Sequence, residues 1–178
     1  SVSFAAELGL RPCYWQPPPR RVRQRMELYA EIRSRIEGRT VAPSEGQAVL
    51  RNLYVAPTME AARSEAAEPI LSAFVYNDPF RGREVFTAPG EELQPGQKLD
   101  WEFLEPRNLL VGSPEHVAER VHELAEVCEL EYLLVEHAHA GISQRLILRN
   151  LELFATKVMP AFRDAGSPPA GSSSAAGR

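Results

Sequence analysis

The sequence has few of the features that mark secreted, membrane or nucleic-acid-binding proteins. Its 178 residues include two cysteines, Cys13 and Cys128, which lie too far apart in sequence to suggest a disulfide framework. No apolar run approaches the ~18 residues of a membrane span, and no signal peptide is visible. The formal net charge of -4, from 20 basic and 24 acidic residues, gives no general electrostatic footprint for nucleic acid. We therefore expect a cytoplasmic protein that binds neither a membrane nor nucleic acid.

Several common catalytic signatures are also missing from the sequence. There is no Gly-rich phosphate loop, no Cys-x-x-Cys, no Gly-x-Ser-x-Gly elbow and no His-Glu-x-x-His. Arg20, Arg21, Arg23 and Arg25 form the one basic cluster. Its simplest interpretation is a solvated start of a helix, and a phosphate or partner contact is the alternative.

What the sequence does contain is an alternation of apolar segments and helical patterns. Strands are predicted over residues 10–15 and 48–55, and the run 132–135 is typical of a strand covered on both faces. Helices are predicted over residues 20–36 and 59–71, and further helices begin at Ser113-Pro114 and Ser143. This order is typical of an α/β barrel, which binds substrates at the carboxyl ends of its strands. A complete barrel needs roughly 250 residues, so we expect only part of one here.

Two segments interrupt the alternation. Residues 77–107 carry several prolines and glycines and no long periodic segment, which predicts a long variable loop such as a lid. Residues 166–178 are Gly, Ser, Pro and Ala for the most part, which predicts a disordered tail. The folded domain is accordingly assigned to residues 1–165.

His137 and His139 are candidates for a metal site. Alternate positions of a strand face the same side, and imidazole is a suitable zinc ligand. A zinc site needs a third and usually a fourth ligand, and the sequence has only three aspartates, at positions 78, 100 and 164. A metal-dependent hydrolase using this pair is one alternative. The other is one loop histidine and one polar wall residue, with no metal.

Two further groups of residues offer binding chemistry. Tyr14, Trp15 and Gln16 end the first predicted strand, where they either belong to the core or form the wall of a site for a flat aromatic ligand. Ser1 and Ser3 precede a helical turn, and hydroxyls and free N–H groups at a helix start suit a phosphate. Two serines at a chain end are very weak evidence by themselves.

Taken in order, these segments resemble the C-terminal part of the bacterial luciferase-like, flavin-dependent monooxygenase family. Residues 1–10 resemble the short helix after the fifth barrel strand of that family, and residues 27–29 lie in a helix resembling the one after strand six. Residues 53–62 resemble strand seven and its helix, and residues 151–162 resemble the closing helix. The most specific match is residues 110–115, which include Ser113-Pro114-Glu115. The matches span residues 1–163, although residues 77–107 match poorly.

The resemblance implies an α/β chain that forms about three strand–helix units of a (β/α)8 TIM barrel, with strands one to five preceding Ser1. It also implies a flavin-dependent monooxygenase that uses reduced FMN, or F420 in some branches, together with O2 and a small organic substrate. A flavin reductase and a homo-oligomer are the implied partners. By the same resemblance Ser1 helps to hold the flavin phosphate, and Tyr14, Trp15 and Gln16 lie near the flavin ring. No catalytic residue is assigned.

Because much of the pocket would lie on the missing strands, we expect the isolated chain to be weakly active or inactive. The alternative is a truncated barrel that binds flavin or a partner without catalysis.

Overall fold

The computed structural model describes residues 1–81 and 83–162. The predicted tail, residues 166–178, lies outside them. The chain alternates helices and strands as the sequence predicts. The helices are α1 (Val2–Glu7), α2 (Pro19–Glu37), α3 (Met59–Arg81), α4 (Trp101–Asn108), α5 (Pro114–Cys128) and α6 (Gln144–Leu153), and the strands are β1 (Cys13–Trp15), β2 (Ala48–Val55), β3 (Leu110–Gly112) and β4 (Tyr132–Glu136). Short helical turns lie between α3 and α4, at Arg83–Phe86, and after α6, at Phe154–Val158 and Met159–Phe162. In the described part of the chain, no helix is long and apolar enough to cross a membrane.

All pairs in the sheet are parallel and all involve β2. Strand β1 pairs with residues 48–50 of β2, and β4 pairs with residues 48–52 of the same strand, so β1 and β4 flank β2 on opposite sides. Strand β3 pairs with the last part of β2, residues 53–55. The predicted α/β class with a parallel sheet is therefore confirmed.

The helix boundaries follow from local chemistry. Ser113 is the N-cap of α5, where its hydroxyl accepts a hydrogen bond from the His116 N–H at 3.3 Å, and Pro114 occupies the first helical position. Helix α2 begins at Pro19 and ends before Gly38, whose φ of 66° is a left-handed conformation that glycine adopts without strain. Both starts agree with the sequence prediction to within one residue.

One face of the sheet is covered by α2, α5 and the last helical segment. Tyr14 of β1 and Val49 of β2 pack with Val22 and Met26 of α2 and with two α5 residues. Further along the strands a second cluster continues this core, and its buried members are Leu53, Val55, Leu110, Val117, Val121 and Val158. The helix-covered face therefore holds two of the apolar clusters of the chain.

A third apolar cluster covers the end of β2, and its composition corrects the predicted loop 77–107. Helix α3 continues through Pro69 to Arg81, ten residues beyond the predicted end, and Trp101–Asn108 forms a separate helix. These segments bury Ile70, Phe74, Phe86, Trp101, Phe103 and Leu104 against Tyr54. Apolar burial outweighs the cost of two prolines, Pro69 and Pro79, within α3. Between the helices, the loop is anchored at its start because the Arg21 guanidinium donates to the carbonyls of Thr87 at 2.6 Å and Ala88 at 3.0 Å.

The sequence prediction that β4 is covered on both faces is wrong. Leu133 and Val135 are partly buried against the core clusters, whereas Tyr132 is 58% exposed and Leu134 is 50% exposed. Because successive side chains of a strand point to opposite faces, β4 has one covered face and one open face. An unbroken apolar run does not distinguish the two arrangements.

Candidate functional site

The sheet face opposite α2 and α5 is only partly covered, and we call it the open face. It is formed by alternate residues of three strands: Trp15 of β1, Leu50 and Asn52 of β2, and Leu134 and Glu136 of β4. The register places Trp15 beside Leu50, Leu50 beside Leu134, and Asn52 beside Glu136. Trp15 and Glu136 are the last residues of their strands. The open face therefore presents side chains at the carboxyl ends of parallel strands, where α/β proteins bind ligands.

A hydrogen-bonded row crosses the open face. The Trp15 indole N–H donates to Asn52 Oδ1 at 3.2 Å, and Asn52 Nδ2 donates to Glu136 Oε2 at 3.0 Å. An indole nitrogen can only donate and a carboxylate can only accept, so these partners fix which way the Asn52 amide points. Asn52 is 2% exposed, whereas Glu136 is exposed. We call this arrangement the Trp15–Asn52–Glu136 row.

Gln16, directly after β1, combines an unusual backbone with an unpaired side chain. Its φ is 81°, and its side chain is 1% exposed. Among the described residues, neither Nε2 nor Oε1 of Gln16 has a hydrogen-bond partner, and Oδ1 of Asn108 has none either. The Asn108 amide donates to the Gln16 backbone carbonyl, so Asn108 lies beside Gln16. Unpaired buried amides are costly, and left-handed non-glycine residues cluster at functional sites, so this pair is a candidate ligand contact.

A buried arginine holds the end of β1 in place. Arg51 is 2% exposed and donates to the carbonyls of Pro17 at 2.6 Å and Leu50 at 2.9 Å. A third, longer bond of 3.4 Å reaches the Tyr14 carbonyl. Burial lowers the pKa of Arg51 to about 10, a value that still leaves the guanidinium charged at neutral pH. The bonds tie the segment that carries Trp15 and Gln16 to the neighbouring strand.

Tyr14 belongs to the core, which decides between the two alternatives that the sequence left open. It is 5% exposed on the helix-covered face, and its hydroxyl donates to Gln47 Oε1 at 2.6 Å. Burial raises the pKa of this hydroxyl. Tyr14 and Trp15 therefore point to opposite faces of the sheet, and the predicted contact of Tyr14 with a flavin ring is not favoured by this geometry.

Ser1 is an exposed residue at the start of α1. Its carbonyl accepts the Ala5 N–H at 3.0 Å, while its hydroxyl makes no capping bond to the helix. Helix α1 is held against α2, since Arg33 donates to the Ala6 carbonyl at 3.1 Å. The predicted role of Ser1 in phosphate binding stays a prediction.

His137 and His139 lie in the loop after β4. Asn150 Nδ2 approaches His137 Nδ1 at 3.3 Å, and the His137 ring packs edge-on against Phe154 with centroids 5.1 Å apart. His139 is 7% exposed. Burial lowers the pKa of both histidines. Within residues 1–81 and 83–162, no group of three or more His, Cys, Asp or Glu side chains could hold a metal ion.

Sequence reasoning missed Asn52, Glu136, Asn108 and Asn150. Asn150 is fully buried in α6, and its Oδ1 accepts the Val55 N–H at 2.8 Å. Polar residues within apolar segments were a usable signal, because Arg51 and Asn52 interrupt an otherwise apolar β2. Their partners lie on distant segments and are not readable from the sequence.

Comparison with known proteins identifies the class of this chain. The model of the luciferase-like monooxygenase family matches residues 1–128. No curated protein matches the chain. The chain belongs to the luciferase-like monooxygenase family.

Solved structures agree with that assignment. The chain is 28% identical to the oxygenating constituent of 3,6-diketocamphane monooxygenase from Pseudomonas putida, a type II Baeyer-Villiger monooxygenase in complex with FMN, with a TM-score of 0.69 over 90% of this chain and 45% of that one. A monooxygenase from Streptomyces bottropensis is 18% identical, with a TM-score of 0.64 over 91% of this chain and 45% of that one. The coenzyme F420-dependent tetrahydromethanopterin reductase from Methanopyrus kandleri is 14% identical, with a TM-score of 0.57 and coverage of 91% and 48%. The last two show the fold alone, and the chain spans less than half the length of all three.

Proposed function

We propose that this chain is the C-terminal part of the barrel of a flavin-dependent monooxygenase that oxidises a small organic substrate with O2. Family membership and the FMN-containing relative support the reaction class. The observation that carries the proposal to this chain is the unpaired, buried Gln16 amide beside Trp15 at the carboxyl end of β1. Ligand sites of barrels occupy this end of the strands.

The proposed cofactor is reduced FMN, with F420 as the alternative that the Methanopyrus kandleri relative supports. When bound, the reduced flavin supplies the electrons for oxygen chemistry. Trp15 offers a partly exposed aromatic ring for stacking. Gln16 and Asn108 offer unpaired amide atoms, and such donors and acceptors complement the carbonyl and N–H groups of a flavin pyrimidine edge. Ser1 is proposed to contact the phosphate.

We further propose that the catalytic site is incomplete without additional strand–helix units. Large exposed apolar residues concentrate at the first and last units of the chain: Phe4, Leu8 and Leu10 near α1, Tyr132 and Leu134 on β4, and Leu148, Leu151 and Met159 along the final helix. Units of the barrel that this chain does not contain would cover these positions and close the open face. The isolated chain then has little activity.

Turnover by the isolated chain tests this account. The protein is incubated with FMN, NADH, O2 and a flavin reductase, and substrate-dependent product formation is compared with a reaction containing the reductase alone. We expect no product above the reductase control, since the open face leaves the proposed flavin site accessible to water. Robust turnover by the chain alone would contradict the proposed incompleteness.

A truncated barrel that binds flavin or a partner without catalysis is the second candidate. The open face and the unpaired Gln16 amide favour it, since both are present in the chain as it stands. Flavin fluorescence distinguishes a binding chain from an inert one: quenching in the micromolar range supports a binding role, and no quenching at high micromolar FMN counts against it. A flavin reductase partner, a homo-oligomer and a cytoplasmic location stay predictions.

A further inference from the structure

We propose that Asn52 and Glu136 are positioning residues that hold the Trp15 indole in the orientation in which it stacks on the flavin ring. This inference rests on the proposed function and adds two residues to it. Neither residue contacts the flavin in the proposal. Both act through the indole N–H.

The hydrogen bonds in the row have one possible direction. Trp15 donates at 3.2 Å to an amide oxygen whose own N–H group donates at 3.0 Å to a carboxylate. A carboxylate acceptor strengthens the bond it receives, and hydrogen bonds in series polarise one another. The indole is therefore held by a charge-assisted chain and not by a single neutral contact.

The row links three strands at the end where the proposed ligand lies. Trp15 is the last residue of β1, Glu136 is the last residue of β4, and Asn52 lies between them on β2. A free tryptophan side chain rotates about two bonds, and anchoring the ring nitrogen removes most of that freedom. An indole that is ordered before the ligand arrives loses less entropy on binding.

Burial supports a specific role for Asn52. An amide at 2% exposure in a strand that is otherwise largely apolar costs free energy unless both its groups are paired. Leucine at this position would extend the apolar surface of Leu50 and Leu134. The row gives each end of the amide a partner, with Trp15 at the oxygen and Glu136 at the nitrogen.

The test uses the indole N–H resonances in a ¹⁵N–¹H spectrum. The chain has two tryptophans, so a Trp15→Phe variant assigns the Trp15 signal. Four further variants are compared with the wild type: Asn52→Leu, Glu136→Leu, Glu136→Gln and, as the matched control, Glu126→Gln on the exposed side of α5. Each is titrated with FMN, and each is unfolded in urea to measure stability.

We expect Asn52→Leu and Glu136→Leu to move the Trp15 indole resonance and to weaken FMN binding about tenfold, which is ~1.4 kcal/mol. Glu136→Gln keeps an acceptor oxygen and should bind within about twofold of the wild type. Glu126→Gln should change neither readout. Because Glu136 is exposed, its variants keep the test valid even if Asn52→Leu fails to fold.

Two results would overturn the proposal, and they are distinguishable. If the wild type binds FMN and the Glu136→Leu variant binds equally well, the row has a structural role only and the proposed function stands. If the wild type does not bind FMN at all, this inference and the flavin-binding role of the isolated chain both fail.

Discussion

The two faces of the same three strands differ sharply in what covers them. On the helix-covered face Tyr14, Val49 and Leu53 are between 0% and 5% exposed. On the open face Leu134, which lies between the packed residues Leu133 and Val135, is 50% exposed. Because side chains alternate along a strand, Leu134 points to the opposite face from its sequence neighbours Leu133 and Val135.

The two faces of the sheet therefore have different roles. The helix-covered face contains two of the three apolar clusters, and their burial stabilises the chain by itself. The open face contains the polar row, and the unpaired Gln16 amide lies next to its first residue. Substitutions on the two faces should therefore have different consequences.

The largest contrast is expected between two leucine truncations. Leu53→Ala on the helix-covered face removes a fully buried side chain and should lower the free energy of unfolding by about 2–5 kcal/mol. Leu134→Ala on the open face should change it by about 0.5 kcal/mol or less. Urea unfolding of both variants measures the two values. Equal losses would mean that the open face is covered in solution, for example by a second copy of the chain.

Fold and site differ in how far the sequence predicts them. The spacing of apolar residues within 20–36 and within 48–55 predicted α2 and β2. Such spacing depends on the local sequence alone, so it can be read without the structure. The burial of residues 132–135 was not predictable, because Tyr132 and Leu134 are apolar and yet exposed in this chain. The local sequence does not show whether another element packs on that face of β4.

The candidate site could be predicted only where it depends on the local sequence. Trp15 and Gln16 were predicted from their place at the end of a strand. Asn52 and Glu136 were not, because they are 84 residues apart in sequence and become neighbours only through the pairing of β2 with β4. Tyr14 shared the sequence context of Trp15 but belongs to the opposite face.

A smaller effect is expected where the last helix meets the sheet. Asn150→Ala removes the acceptor of the buried Val55 N–H and should cost about 1–3 kcal/mol, because a buried N–H group is left without that partner. Asn150→Asp keeps an acceptor oxygen and serves as the comparison. Thermal and urea unfolding should rank the wild type first and the alanine variant below it. An alanine variant as stable as the wild type would show that the contact contributes nothing.

The smallest effect is a pH dependence from the loop after β4. Burial lowers the pKa of His137 and His139, so the folded chain binds fewer protons than the unfolded chain, whose histidines titrate at about 6.5. Stability should therefore fall as pH drops through that value. Urea unfolding at pH 7.5 and pH 5.5 measures this loss, and a His139→Gln variant should show a smaller loss than the wild type. An unchanged loss would exclude His139 as its source.

We propose that the remaining strand–helix units of a family barrel pack on the open face and on the edge of β4 that faces away from β2. The direct measurement is amide hydrogen exchange of the chain alone and after mixing with a polypeptide that carries the part of the Pseudomonas putida relative that this chain does not cover. We expect slower exchange at residues 132–136 and 148–159 in the mixture, with α5 unchanged. A stable complex that leaves residues 132–136 exchanging as fast as in the free chain would contradict it.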